Sequence, residues 1–149
     1  MNSRTVYSSA QSILAFAGTA DAGTLYWAHR QGIELPCTSG GGCDLVYASH
    51  WSHLGPVPVA LLGVIAYIFL LFAAVIKLSS EPASSTITFT ALAILAATIV
   101  GTCFSWYLQY VSTVFIGAFC IYCRTSAIIM TLLFLTSLAE QLQGFRQPK

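Results

Sequence analysis

Residues 57–76 read VPVALLGVIAYIFLLFAAVI, a run without Asp, Glu, Lys or Arg. An α-helix rises about 1.5 Å per residue, so roughly twenty apolar residues cross the ~30 Å hydrocarbon core of a bilayer. Outward from this run, residues 87–111 form a second uncharged stretch. About Ile13 to Trp27 carries only Asp21, and about Val114 to Leu138 only Arg124. Of the 149 residues, 56% are hydrophobic and 7% charged, where soluble domains carry about 25% charged. The formal net charge of +1 provides no basic surface for nucleic acid. The expectation is an all-α integral membrane protein, a bundle of four transmembrane helices forming one unit over residues 1–149. Its spans fall near 11–29, 57–78, 86–110 and 114–139.

The first stretch differs from a cleaved leader, because Asp21 lies mid-span and no small-residue cleavage pattern follows a short apolar core. Tyr26, Trp27 and His29 at its end suit a membrane interface. Arg4, Lys77, Arg146 and Lys149 fall on one side of a four-span arrangement, and Arg30 and Arg124 on the other. Positive residues favour the cytoplasmic side. The termini and the Lys77–Ser85 connection are therefore expected inside, and the 30–56 loop outside, where thiols form disulfides.

That loop holds Pro36, Cys37, Ser39, Gly40, Gly41, Gly42 and Cys43. Glycines beside the thiols let one sulfur approach different partners, as thiol–disulfide exchange requires. The loop's end, about Leu45 to His53, reads as a short surface helix with Leu45, Val46, Trp51 and Leu54 on its apolar side. Pro56 and Pro58 suit the entry to the second span. A second pair, Cys120-Ile121-Tyr122-Cys123, opens the last span. There the first sulfur meets unsatisfied backbone N–H groups that favour a thiolate, and Arg124 adds positive charge nearby. Two pairs on one side of a membrane point to electron transfer through disulfides. Cys103, alone in the third span, reads as packing.

Asp21 is an ionisable group inside a span, where a charge is costly and often functional. It either assists proton uptake or stays protonated and bonded to Thr19, Thr24 or another helix. A rival use of the loop is zinc binding by Cys37, Cys43, His50 and His53. Another is a scaffold in which a permanent disulfide staples the loop to the bundle.

Cys37-x5-Cys43, Ser49 with Trp51, the run Pro58-Val59-Ala60-Leu61-Leu62-Gly63 into Tyr67, and Phe119-Cys120-Ile121-Tyr122-Cys123 together resemble the vitamin K epoxide reductase family over nearly the whole chain. The resemblance implies four helices around a quinone of menaquinone, ubiquinone or vitamin K type. It implies that Cys37 meets the thiols of a separate extracytoplasmic thioredoxin-like protein, that Cys43 exchanges with Cys120, and that Cys123 lies nearest the quinone. Ser49 matches a loop hydroxyl near the quinone. Val59 and Ala127 fall where vertebrate members place an Asn and a Tyr on the quinone or epoxide oxygens. The implied activity is therefore a membrane thiol:quinone oxidoreductase that supports disulfide formation in secreted proteins, with vitamin K epoxide reduction as the alternative. The expected place is a bacterial plasma (inner) membrane, with the redox cysteines outside. Some bacterial members carry a thioredoxin-like domain after the fourth span, and here the partner is expected in trans.

Overall fold

The computed structural model describes residues 3–33, 42–79 and 85–146. Four long helices dominate it: α1 (Ser3–Arg30), α3 (Val59–Ser79), α4 (Ser85–Val111) and α5 (Ile121–Arg146). A short helix, α2 (Gly42–Ala48), stands between α1 and α3. α1 packs on α3 and α5, and α4 closes the ring against α3 and α5. Ala15, Tyr67, Leu70, Ile94, Met130 and Leu133 meet at the core. α1 approaches α3 closely because Gly18 lies against the Tyr67 ring, where a β-carbon would collide with it.

The surface is inverted relative to a soluble protein, with Phe16, Phe69, Phe72, Phe89 and Leu135 all pointing outward. Large exposed apolar areas mark contact with lipid or partners. Three segments are long and apolar enough to cross a membrane: Val59–Ser79, Ile87–Ile116 and Ile121–Gly144. These make the chain a predominantly helical, multi-pass membrane protein. The fourth expected span, within α1, does not join them by composition. Its polar residues explain why: Ser8 and Gln11 are buried inside the bundle while Ile13, Phe16 and Trp27 face outward.

At one end of the bundle, three helices are tied by polar groups. Lys77 Nζ of α3 donates to Gln11 Oε1 of α1 at 3.1 Å and pairs with Glu140 Oε2 of α5 at 2.5 Å. Gln11 Nε2 donates to the same Glu140 oxygen at 3.1 Å. Each donor and acceptor in this buried group thus finds a partner, the condition under which buried charge is tolerated.

Two expected boundaries move. The short loop helix ends at Ala48, and a 3₁₀ turn follows at His50–Ser52. The Ser52 hydroxyl donates to the carbonyls of Tyr47 and Ser49, local bonds that compete with helix continuation. A two-residue hairpin then pairs β1 (His53–Leu54) with β2 (Val57–Pro58), antiparallel, with Gly55 turning at φ +64°. The last span begins at Ile121 rather than near 114, because Ser112–Ile116 extends α4 as a π-helical turn. Gly117, at φ +67°, then reverses the chain, and the Ser112 hydroxyl donates to the Ala118 carbonyl at 2.6 Å.

Candidate functional site

The reversal at Gly117 delivers Cys120 to the residue before α5, so that it caps the helix. Cys120 Sγ accepts the backbone N–H of Cys123 at 3.2 Å, the bond that a Ser or Asp oxygen makes at an ordinary N-cap. Cys120 lies just outside the Ile121–Gly144 span, and hydrogen bonding from the Cys123 thiol, then from its backbone, holds the Cys120 thiol below the ordinary thiol value. A thiolate is thereby favoured at Cys120. Cys120 is buried and Cys123 half-buried, both as free thiols.

α2 rests directly on this turn. At Gly42 a β-carbon would run into the Phe119 carbonyl, so only glycine allows this approach. The next residue, Cys43, is 1% exposed and disulfide-bonded. α1 secures α2 from below: the His29 ring stacks on Tyr47 at 3.7 Å between centroids. His29 Nε2 lies 3.2 Å from Asp44 Oδ1 without hydrogen-bonding geometry. Cys37 lies outside the described residues.

Between the helices and under α2 is a cavity of about 720 Å³. Cys43, Cys120 and Cys123 all reach its wall, as do Ser49 and Val59. Most of the remaining lining is apolar or small, including Leu62, Gly63, Ala66, Val100, Gly101 and Met130. A cavity of this size, apolar with a few convergent polar groups, has the character of a small-molecule site. An apolar small molecule is the class of ligand that this lining suits. Ser49 can only accept from such a ligand, because its own hydroxyl donates to the Val46 carbonyl at 2.6 Å. Ala127, expected beside Val59, is buried and lines a separate cavity of about 300 Å³ with Arg124 and Phe119.

Several other expectations take a different form. Cys103 is exposed on α4 and does not pack in the core. Arg124 lies over the Phe119 ring, its guanidinium carbon 5.2 Å from the centroid, and is absent from the large cavity's wall. Thr19 and Thr24 donate to the Ala15 and Ala20 carbonyls of their own helix, so neither serves Asp21, which lines the large cavity. His50 is exposed, and His53 Nδ1 lies 2.8 Å from Ser52 Oγ. Among the described residues, no three His, Cys, Asp or Glu side chains gather as a metal site.

Two wall residues had no assigned role in the sequence reading. Tyr67 OH donates to the Ser126 carbonyl at 2.9 Å and shares a hydrogen bond with Ser126 Oγ at 2.9 Å. Both residues line the cavity. The available signal was a tyrosine in the middle of an otherwise apolar span, since a buried phenol must find a partner.

A comparison with protein families matches residues 10–138 to the model described as the vitamin K epoxide reductase family. The match takes in most of α1, all of α2, α3 and α4, both described cysteines of the 120–123 pair, and the cavity they share.

Proposed function

Because the chain belongs to the vitamin K epoxide reductase family, whose members are membrane oxidoreductases that use quinones, we propose that it is a thiol:quinone oxidoreductase serving disulfide formation in secreted proteins. The observation that carries this reading is the shared wall: Cys43, Cys120 and Cys123 border one apolar cavity of about 720 Å³. A quinone substrate accepts two electrons and two protons there.

The residues divide the work. Cys37 and Cys43 act as the shuttle pair, and Cys37 takes electrons from a thioredoxin-like protein at the outer face. Cys43 then exchanges with Cys120, whose position at the start of α5 favours the thiolate that exchange requires. Cys123 closes the disulfide with Cys120 as electrons leave for the substrate. Ser49 accepts from the substrate or a neighbouring thiol, and Val59 supplies apolar wall. With valine at that position, plain quinone reduction is favoured over epoxide reduction. α1 is the fourth span, with its polar residues turned inward, and the cysteines face the outside of a bacterial plasma membrane.

The test uses purified protein in detergent with a reduced thioredoxin-like protein and a soluble ubiquinone analogue. Quinol should form with wild type and be lost in each single alanine variant of Cys37, Cys43, Cys120 and Cys123. Full activity in Cys123→Ala would contradict the assignment of the quinone-side thiol. Absence of quinol with wild type, together with bound zinc, would favour a structural loop.

A further inference from the structure

Resting on that function, we propose that Asp21 is the proton-transfer residue of the cavity, moving a cysteine proton to the quinone oxygen.

Ser49 donates to the Val46 carbonyl, Ser112 to the Ala118 carbonyl and Ser52 to the Ser49 carbonyl. Tyr67 donates to the Ser126 carbonyl and is bonded to its hydroxyl. These hydroxyl protons are committed to the protein's own backbone, and Tyr47, Ser105 and Tyr122 complete the hydroxyls of the wall. The Asp21 carboxyl, by contrast, has neither a hydrogen-bond nor an ion-pair partner among the described residues.

Among the described residues, the surroundings of Asp21 contain no compensating cation either. On α1, Thr19 and Thr24 bond their own backbone, and Arg30 lies at the helix end on Tyr26. α3 presents Tyr67, the start of α5 presents Cys120, Tyr122 and Cys123, and α2 presents Cys43 and Tyr47 to the same cavity. Lys77 is taken by Glu140, and Arg124 by the Phe119 ring. Asp21 shares the cavity wall with Tyr67, Cys120 and Cys123. An unpaired carboxyl within a membrane bundle is costly to keep, and a functional use accounts for its presence.

The balance is simple. Cys120 and Cys123 lose two S–H bonds and gain one S–S bond, and two electrons pass to the quinone. Asp21, as carboxylate, takes the proton of one thiol and gives it to one quinone oxygen. The proton of the second thiol passes to the other oxygen, and Asp21 is a carboxylate again.

Two measurements test this. In the first, quinol formation by Asp21→Asn should fall about a hundredfold, the lower range for general acid–base catalysis, with KM for the quinone little changed. The acid limb of the wild-type pH profile should vanish, and Asp21→Glu should recover most of the rate. In the second, taken without quinone, the infrared difference between dithiol and disulfide protein should contain a carboxyl band that shifts in D₂O. That band should be missing in Asp21→Asn and displaced in Asp21→Glu. Wild-type turnover by Asp21→Asn at every pH, or a spectrum without an Asp21-dependent band, overturns the assignment. If wild type makes no quinol yet displays the band, the quinone function fails while the coupling of Asp21 to the thiols stands. A poorly folded Asp21→Asn leaves the decision to Asp21→Glu and to the wild-type spectrum.

Discussion

Gly42 determines how near the loop can come to the membrane thiols. Its α-carbon rests against the Phe119 carbonyl, one residue before Cys120, and Cys43 follows it immediately. A methyl group there forces α2 away from the turn, and thiol–disulfide exchange is intolerant of lost approach between sulfurs. Gly42→Ala is therefore expected to slow exchange between Cys43 and Cys120 at least about tenfold, a barrier increase of ~1.4 kcal/mol. Rapid acid quench and alkylation would follow that step, while quinone reduction by protein already reduced at Cys120 and Cys123 should keep its wild-type rate. An unchanged exchange rate would contradict this role for Gly42. The neighbouring run Ser39-Gly40-Gly41-Gly42 reads in the sequence as a flexible loop. What the sequence could not specify is that the last of these glycines meets Phe119, because that contact joins two segments distant along the chain.

At the scale of elements, α3 was legible from its uninterrupted apolar run and α4 nearly so. α1 was harder, because periodic burial of Ser8 and Gln11 against outward Ile13 and Phe16 lowers its apolar signal. The break between α4 and α5 was missed for a different reason. Val114, Phe115 and Ile116 continue the apolar pattern, and only Gly117, with its positive φ, betrays the reversal. Lys77 counted in the sequence as a flanking positive charge, yet its side chain is wholly buried against Glu140 and Gln11. Removing one partner from a buried pair typically costs about 3–5 kcal/mol, whereas replacing both with apolar groups can be neutral. Lys77→Ala should accordingly destabilise the bundle by about 3–5 kcal/mol in denaturant titrations in detergent. Lys77→Met combined with Glu140→Leu should recover most of that loss. Equal losses in the single and double variants would show that the ion pair is not what ties α1, α3 and α5.

For the whole molecule, the membrane class followed from composition and the two cysteine pairs from their spacing. That Cys43 reaches the same cavity as Cys120 and Cys123 did not, because it depends on the 3₁₀ turn, the hairpin and the π-helical turn that carry Ser49, Trp51, Ser112 and Cys120 to the same wall. The polar half of that wall was likewise only partly visible: Asp21 stood out as a charge in a span, while the Tyr67–Ser126 bond joins residues 59 positions apart.

On the proposed function, electrons leave the protein through Cys120 and Cys123 into a quinone held in this cavity. A single anaerobic turnover tests it most directly: fully reduced protein is mixed with a soluble quinone, and quinol and remaining free thiols are counted together. One quinol per protein molecule, with Cys120 and Cys123 newly protected from alkylation, is the predicted result. Quinol formed while both cysteines stay open to alkylation, or no quinol at all, would contradict the account.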